Sequence, residues 1–318
     1  MQSAQAVERS TLNGKGPVAS AISRLSWVLF AIAGLVFVAV VILLITGVLK
    51  KPAGRPDRLG IYRSNAAEQR IIGIGGIAIP LVILAAIFAY SLRDMVTLAK
   101  PDRAAAVTID VIGHRWWWEA QYQDQGVITA NEIHIPTGEP IEFKLTTADV
   151  IHSFWVPNLS NKQDLIPGKT NSLWLQADKA GTYQGQCAEF CGDMHAFMRF
   201  TVVAQTPDDY AAWLANQQQV AATSNDPLIS QGEQIFLGSA CVYCHTIRGT
   251  AASGTIGPDL THLASRQSLA ANTVDNSPES LAIWIVSPEK IKPNSLMPGT
   301  DFTPDELKAL IAFLESLK

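Results

Sequence analysis

Cys187-Ala-Glu-Phe-Cys191-Gly-Asp-Met-His195-Ala-Phe-Met198 is the stretch on which the reading of this chain turns. Two thiols four residues apart, an imidazole four further on and a thioether three beyond that can all point into one loop-bounded pocket. Cys, His and Met together are soft-to-borderline ligands that suit copper. Zinc competes, because Cys187, Cys191, His195 and one further His would complete a tetrahedral Cys2His2 set. A Cys187–Cys191 disulfide is the third reading in an oxidising compartment. The other two of the four cysteines lie in Cys241-Val-Tyr-Cys244-His245, the thioether attachment pattern of a c-type haem. A thiolate metal site beside a covalent haem points to electron transfer rather than hydrolysis or group transfer.

Working outward, a length of 318 residues suggests about two domains. Only 16% of residues are charged and mean hydropathy is +0.15, and the cause is local. Neither Trp27 to Leu49 nor Ile71 to Leu92 contains a charge, and each is long enough to cross a ~30 Å hydrocarbon layer as a helix. Pro80 is tolerable there, since partner helices satisfy the backbone groups it frees. Residues 50–70 carry six basic side chains (Lys50, Lys51, Arg55, Arg58, Arg63, Arg70) against Asp57 and Glu68. The positive-inside rule makes this loop cytoplasmic and places both termini outside. The first 21 residues hold no continuous apolar stretch, so no separate cleavable signal peptide is expected. A net charge of −4 and the absence of a basic stripe give no sign of nucleic-acid binding.

From residue 106 the pattern changes to strands. Val107, Ile109 and Val111 alternate with polar residues, as do Ile141, Phe143 and Leu145. Leu173-Trp174-Leu175 and Phe200 to Val203 continue the style, with turns at Pro136-Thr137-Gly138 and Pro167-Gly168. So many short strands in about 100 residues predict a β-sandwich or barrel. A short helix follows Pro207 with Tyr210, Trp213 and Leu214 on one face, then a polar linker. The remainder reads as helical. Thr303 as N-cap, Pro304 at N1 and Glu306 at N3 make a capping box, followed by a stripe of Leu307, Leu310, Ile311, Leu314 and Leu317. The expected divisions are an outer amino-terminal segment (1–26), a two-helix membrane hairpin (27–99), a β domain (100–216), a linker (217–227) and an all-α haem domain (228–318).

The stretch from Trp116 to Phe200 resembles subunit II of haem-copper cytochrome c oxidases, whose CuA pattern of a distant His followed by C-x-E-x-C-x3-H-x2-M is met in full. The resemblance implies a cupredoxin-like β-barrel holding a dinuclear copper centre. In it Cys187 and Cys191 bridge two coppers, with His152, His195 and Met198 as further ligands. Glu189 would ligate through its backbone carbonyl while its side chain faces a magnesium site shared with subunit I. Gly113-His114-Arg115-Trp116-Trp117-Trp118 resembles the family's aromatic patch, with Trp116 where electrons arrive. Lys162 to Gly168 resembles the loop that packs on subunit I. The likeness covers roughly residues 25–205. One departure stands out: the family often opens its second membrane helix with E-x-x-W-T-x-x-P, whose acid lies at the mouth of a proton path. Counting back from Pro80, that acid is Gly73 here, the Trp-Thr pair is Gly76-Ile77, and Glu68 lies five residues too early.

Around the second cluster, Gly257-Pro258-Asp259-Leu260 resembles the loop that closes over the proximal side of class I cytochromes c, and Ser295-Leu296-Met297-Pro298 supplies a Met downstream. Cys241 and Cys244 would hold the haem covalently, with His245 proximal and Met297 distal, a pairing that raises the haem potential. His262 is the rival sixth ligand; His114 and His134 read as structural. From Asp226 onward ten acids face six bases, a net of −4. The expectation is the electron-input subunit of a terminal respiratory oxidase in a bacterial inner membrane, metal domains on the outer side. Electrons would run from an outside donor (a cytochrome c or a quinol:cytochrome c oxidoreductase complex) to haem c, to CuA, and on to subunit I. None of the six histidines falls in a membrane segment, so the oxygen site must lie in that partner. Two alternatives remain at this stage. One is the CuA subunit of a nitric oxide reductase; the other is a membrane-tethered copper-delivery protein, with one membrane helix, a βαβ redox fold and no haem.

Overall fold

The computed structural model describes residues 10–49, 66–98, 101 and 103–318. Residues 50–65, most of the basic loop from which topology was inferred, lie outside the described residues, as does the start of the amino-terminal segment. Two compact units emerge: Ala21–Pro101, and the remainder of the chain.

The first unit carries most of α1 (Pro17–Leu49), then α2 (Ala66–Gly73), a π turn (Ile74–Ala78) and α3 (Ile79–Leu98). Gly73 ends α2 immediately before the π turn. Two stretches, Pro17–Leu49 and Gln69–Val96, are long and apolar enough to cross a membrane. Phe37 and Phe88 are 69% and 68% exposed, so these helices are not the core of a soluble fold. α1 begins ten residues before the uncharged run, because Pro17 suits the first helical turn and polar residues continue the helix beyond the apolar stretch.

The second unit begins with two five-stranded sheets. Their strands are β1 (Val107–His114), β2 (Trp117–Tyr122), β3 (Val127–Ala130), β4 (Glu132–Pro136), β5 (Ile141–Thr147), β6 (His152–Trp155), β7 (Gln163–Leu165), β8 (Asn171–Leu175), β9 (Gly181–Cys187) and β10 (Arg199–Gln205). One sheet runs β3-β2-β1-β5-β8 and the other β4-β10-β9-β6-β7. β1 lies parallel to β5 and β10 parallel to β4; the other pairs are antiparallel. Strict alternation along β1 sends Val107, Ile109, Val111 and Gly113 inward, the period-two pattern of a half-buried strand. Between the sheets Trp118, Phe143, Phe154 and Phe200 are fully buried. The Phe154 and Phe200 rings stack at 4.3 Å, and Trp118 meets both edge-on at 5.6 and 5.2 Å, favoured arrangements for aromatic quadrupoles. Residues 10–19 lie against this domain: Asn158 donates to the Ser10 and Asn13 carbonyls, and the Asp178 amide donates to that of Lys15.

The helix α4 (Pro207–Gln217) closes one side with Tyr210, Trp213 and Leu214 on the core. Three further helices, α5 (Pro227–Gly238), α6 (Pro278–Val286) and α7 (Pro304–Ser316), build the last domain, with a small hairpin of β11 (Ser268–Leu269) and β12 (Val274–Asp275). That hairpin is an addition to the all-helical expectation. Each of α4 to α7 opens with a capping side chain and proline: Thr206-Pro207, Asp226-Pro227, Ser277-Pro278 and Thr303-Pro304. At Thr303 the reciprocal bond from Glu306 completes the capping box. Phe236 and Phe313, 5.9 Å apart, join Leu310, Leu314 and Leu317 in its core.

Segment 218–226 is fastened to the haem domain rather than hanging free. Ala221 donates to the Arg248 carbonyl, while the Arg248 guanidinium reaches the Gln217 and Gln218 carbonyls.

Candidate metal and haem sites

Four of the five predicted donors hang on the loop between antiparallel β9 and β10. Cys187 ends β9, and its amide donates to the Met198 carbonyl at 2.9 Å, closing the loop. His152 opens β6, which pairs with β9 so that Phe154 faces Cys187. Gly113 on the facing sheet makes room: a Cβ there would lie 2.8 Å from His152 Cδ2.

The donor atoms form a string. His152 Nδ1 lies 3.9 Å from Cys187 Sγ, which lies 3.8 Å from Cys191 Sγ. Cys191 Sγ in turn lies 3.6 Å from His195 Nδ1 and 3.8 Å from Met198 Sδ. The Glu189 carbonyl is 3.2 Å from Cys187 Sγ, and its side chain points the other way, 3.9 Å from Lys162. A sulfur separation of 3.8 Å is far beyond a disulfide bond. A thiol-to-thiolate hydrogen bond from Cys191 pulls the Cys187 thiol down to about 4 against the opposing effect of burial, with His152 assisting; Cys191 is pushed up correspondingly.

His152 is fully buried. Its Nε2 meets Asp149 Oδ1 at 2.8 Å. Burial disfavours the charged ring, but the hydrogen bonds to Cys187 and Asp149 outweigh it and raise the pKa. Asp149 is held in turn by the backbone amides of Val150 and Arg115. It therefore orients the ring as outer-shell carboxylates orient metal-binding histidines. An acid three residues before His152 is the one local signal that could have pointed to it.

Trp116 sits beside this loop, its indole Nε1 donating to the Cys191 carbonyl at 3.0 Å. It is only 9% exposed, packed with the core of the β domain and lining the cavity of the last domain. Lys292 donates to the Trp116 carbonyl at 2.5 Å. Burial pushes this lysine down to about 7, with Cys191 opposing. His114 stacks on Trp117 at 4.2 Å and pairs with Glu119; His134 stacks on Trp213 and pairs with Glu132 and Gln205.

In the last domain Cys241 and Cys244 lie on and just after a 3-10 turn (Ala240–Tyr243), and the His245 amide donates to the Cys241 carbonyl. His245 Nδ1 is 2.8 Å from the Pro258 carbonyl. A carbonyl only accepts, so the proton resides on Nδ1 and Nε2 keeps its lone pair. Burial lowers the pKa of this ring, which favours the neutral ligand form. Gly257 is required by close approach: a Cβ there would lie 2.7 Å from His245 Cε1. Cys241, Cys244, His245 and Met297 line one apolar cavity together with Trp116 and Lys292. His262 is not among its lining residues; its two ring nitrogens meet the Lys318 and Gln219 carbonyls at 2.6 and 3.1 Å.

A family model described as cytochrome c oxidase subunit II, periplasmic domain, matches residues 126–205, and one described as cytochrome c matches residues 229–318. Cytochrome c oxidase subunit 2 of Alkalihalophilus pseudofirmus is 33% identical over 97% of this chain and 91% of its own. That of Bacillus subtilis is 32% identical over 75% of this chain and 70% of its own. The crystal structure of the periplasmic domain of subunit II of cytochrome oxidase from Bradyrhizobium japonicum is 32% identical, covering 36% of this chain and 96% of that one with a TM-score of 0.36.

Two apolar helices, a cupredoxin-like domain and a cytochrome c domain define a membrane-anchored electron-transfer component of a haem-copper oxidase, an oxidoreductase. The chain belongs to the cytochrome c oxidase subunit II family, in the form that carries a fused cytochrome c domain. That membership implies a CuA copper centre, a haem c, association with other oxidase subunits and a redox partner. It also removes the copper-delivery alternative, which called for one membrane helix, a βαβ fold and no haem.

Proposed function

We propose that this subunit receives electrons on the outer side of a bacterial inner membrane and delivers them inward through haem c and then CuA. The copper pair and the haem supply the one-electron chemistry, between an outside donor and the oxygen-reducing site in subunit I. The observation that carries the reading is Trp116, whose one side chain both lines the haem cavity and bonds the Cys191 carbonyl of the copper loop.

The donor set fits two coppers better than one zinc. Its atoms extend as a string rather than converging on one tetrahedral point: His152, Cys187 and Cys191 lie within 4.8 Å of one another, while His195 and Met198 gather at the Cys191 end. Met198 is also a poor zinc ligand. In this assignment Cys187, Cys191, His152, His195, Met198 and the Glu189 carbonyl would hold the copper pair. The Glu189 carboxylate, directed away from the copper loop, contributes to a magnesium site shared with subunit I. The haem fits equally: Cys241 and Cys244 for the thioether bonds, His245 Nε2 with its free lone pair, and Met297 in the same cavity. The donor is a cytochrome c or a quinol:cytochrome c oxidoreductase complex.

Metal and haem analysis of the purified protein tests this. Two coppers and one haem per chain are expected, the haem staying with the polypeptide in acidic organic solvent. One zinc without copper, or an extractable haem, overturns the assignment.

A further inference from the structure

Lys292 is a cation buried where such a group is costly. It is 4% exposed, it belongs to the haem domain, and its ammonium donates to a backbone carbonyl of the other domain, that of Trp116, 176 residues earlier. A buried ammonium without a partner would be strongly disfavoured, so the site is built to receive it. The chain of bonds continues on both sides. Lys292 stands five residues before Met297 on the same loop. Beyond the Trp116 carbonyl, the indole of that residue donates to the Cys191 carbonyl. The two domains are joined nearby by Asn272 to Thr201 Oγ1 at 2.9 Å, the Gln267 amide to Glu132 Oε2 at 2.9 Å, and Asn294 to Asp193 at 3.4 Å. The linker is strapped down by Arg248.

We propose that Lys292 is a positioning residue that latches the haem domain onto the CuA domain. It fixes the loop bearing Met297 against Trp116, so that the two centres sit at one separation instead of meeting by diffusion on a tether. The other interdomain bonds are part-buried or exposed, whereas that of Lys292 to the Trp116 carbonyl is buried. An unlatched haem domain on an eleven-residue linker would sample many separations, and electron transfer would wait on each return.

This rests on the proposed metal and haem assignments, and the experiment separates the two. In the purified, metal-loaded full chain, pulsed electron paramagnetic resonance measures the distance between oxidised CuA and ferric haem c, for the wild type and for Lys292→Met. The substitution keeps the unbranched apolar stem and removes the donor. Absence of either signal in the wild type defeats the assignments, not the latch. With both signals present, the wild type should give one narrow distance and Lys292→Met a broad distribution, with the copper and haem signals both retained. A narrow, unshifted distance in Lys292→Met overturns the proposal. Should that variant misfold, Lys292→Gln, which keeps a donor on a shorter stem, is measured together with hydrogen exchange at the linker amides. Faster exchange around Ala221 supports the latch, and wild-type exchange overturns it.

Discussion

At the copper end, Cys187, Cys191 and Met198 are the margin of a buried cluster whose bulk is Trp118, Phe143, Phe154 and Phe200 between the sheets, and Asp149 orients His152. At the haem end, Phe236, Leu281, Ile285, Leu310 and Leu314 line the cofactor cavity and also form the core. The proposed copper donors thus lie at the strand ends of a core that aromatic rings dominate, whereas the haem cavity is walled largely by the core residues of its own domain. A rigid sheet end presents ligands with little reorganisation; a small helical domain relies on its cofactor as part of its apolar interior.

The sharpest way to break that contrast is to delete each site in turn. Cys241→Ala with Cys244→Ala should prevent haem attachment and leave the last domain without its cooperative transition, read as lost helical circular dichroism, while the β domain melts as before. Cys191→Ser should abolish the copper spectrum yet cost the metal-free β domain no more than about 2 kcal/mol. If the haem domain survives its double substitution, or the barrel collapses without Cys191, the contrast fails.

A second comparison lies inside the haem domain. Met297→Ala should remove the weak near-infrared sulfur-to-iron band and lower the haem potential, because a thioether favours ferrous iron. His262→Ala should leave both unchanged and instead lower stability by about 1–3 kcal/mol, since a buried ring is lost and a carbonyl beside it loses its donor. The reverse pattern would make the haem a bis-histidine centre.

Trp116→Phe keeps a ring and removes the indole donor to the Cys191 carbonyl. Flash-reduction kinetics should show slower transfer from haem c to CuA with both spectra preserved; an unchanged rate would reduce Trp116 to packing. The smallest effect expected is at α7, where Thr303→Ala should cost ~1 kcal/mol through the lost cap, measured by thermal unfolding of the haem domain.

What was legible in the sequence was whatever depends on short spacing. Both cysteine clusters, the alternation along β1 and β5, and the Thr303 capping box each fall within a dozen residues. Asp226-Pro227 and Ser277-Pro278 carried the same start signal as Thr303-Pro304. The β11–β12 hairpin was not legible, because its turn places Ala270, Ala271 and Asn272 at positive φ, where glycine is the usual cue. Lys292 was least legible of all. Nothing local marks a lysine in a polar run as the one that returns 176 residues to Trp116. For the same reason nothing local showed that Trp116 lines a cavity shared with the last domain.

That shared cavity changes which step of the relay responds to salt. Mobile ions screen charges that meet across water, over a distance of about 8 Å at physiological ionic strength, and they set how fast a separate donor finds its target. The contact between Lys292 and Trp116 is buried. In the proposed relay, passage from haem c to CuA would therefore respond little to ionic strength, and salt would act instead where a separate donor meets the net-acidic haem domain.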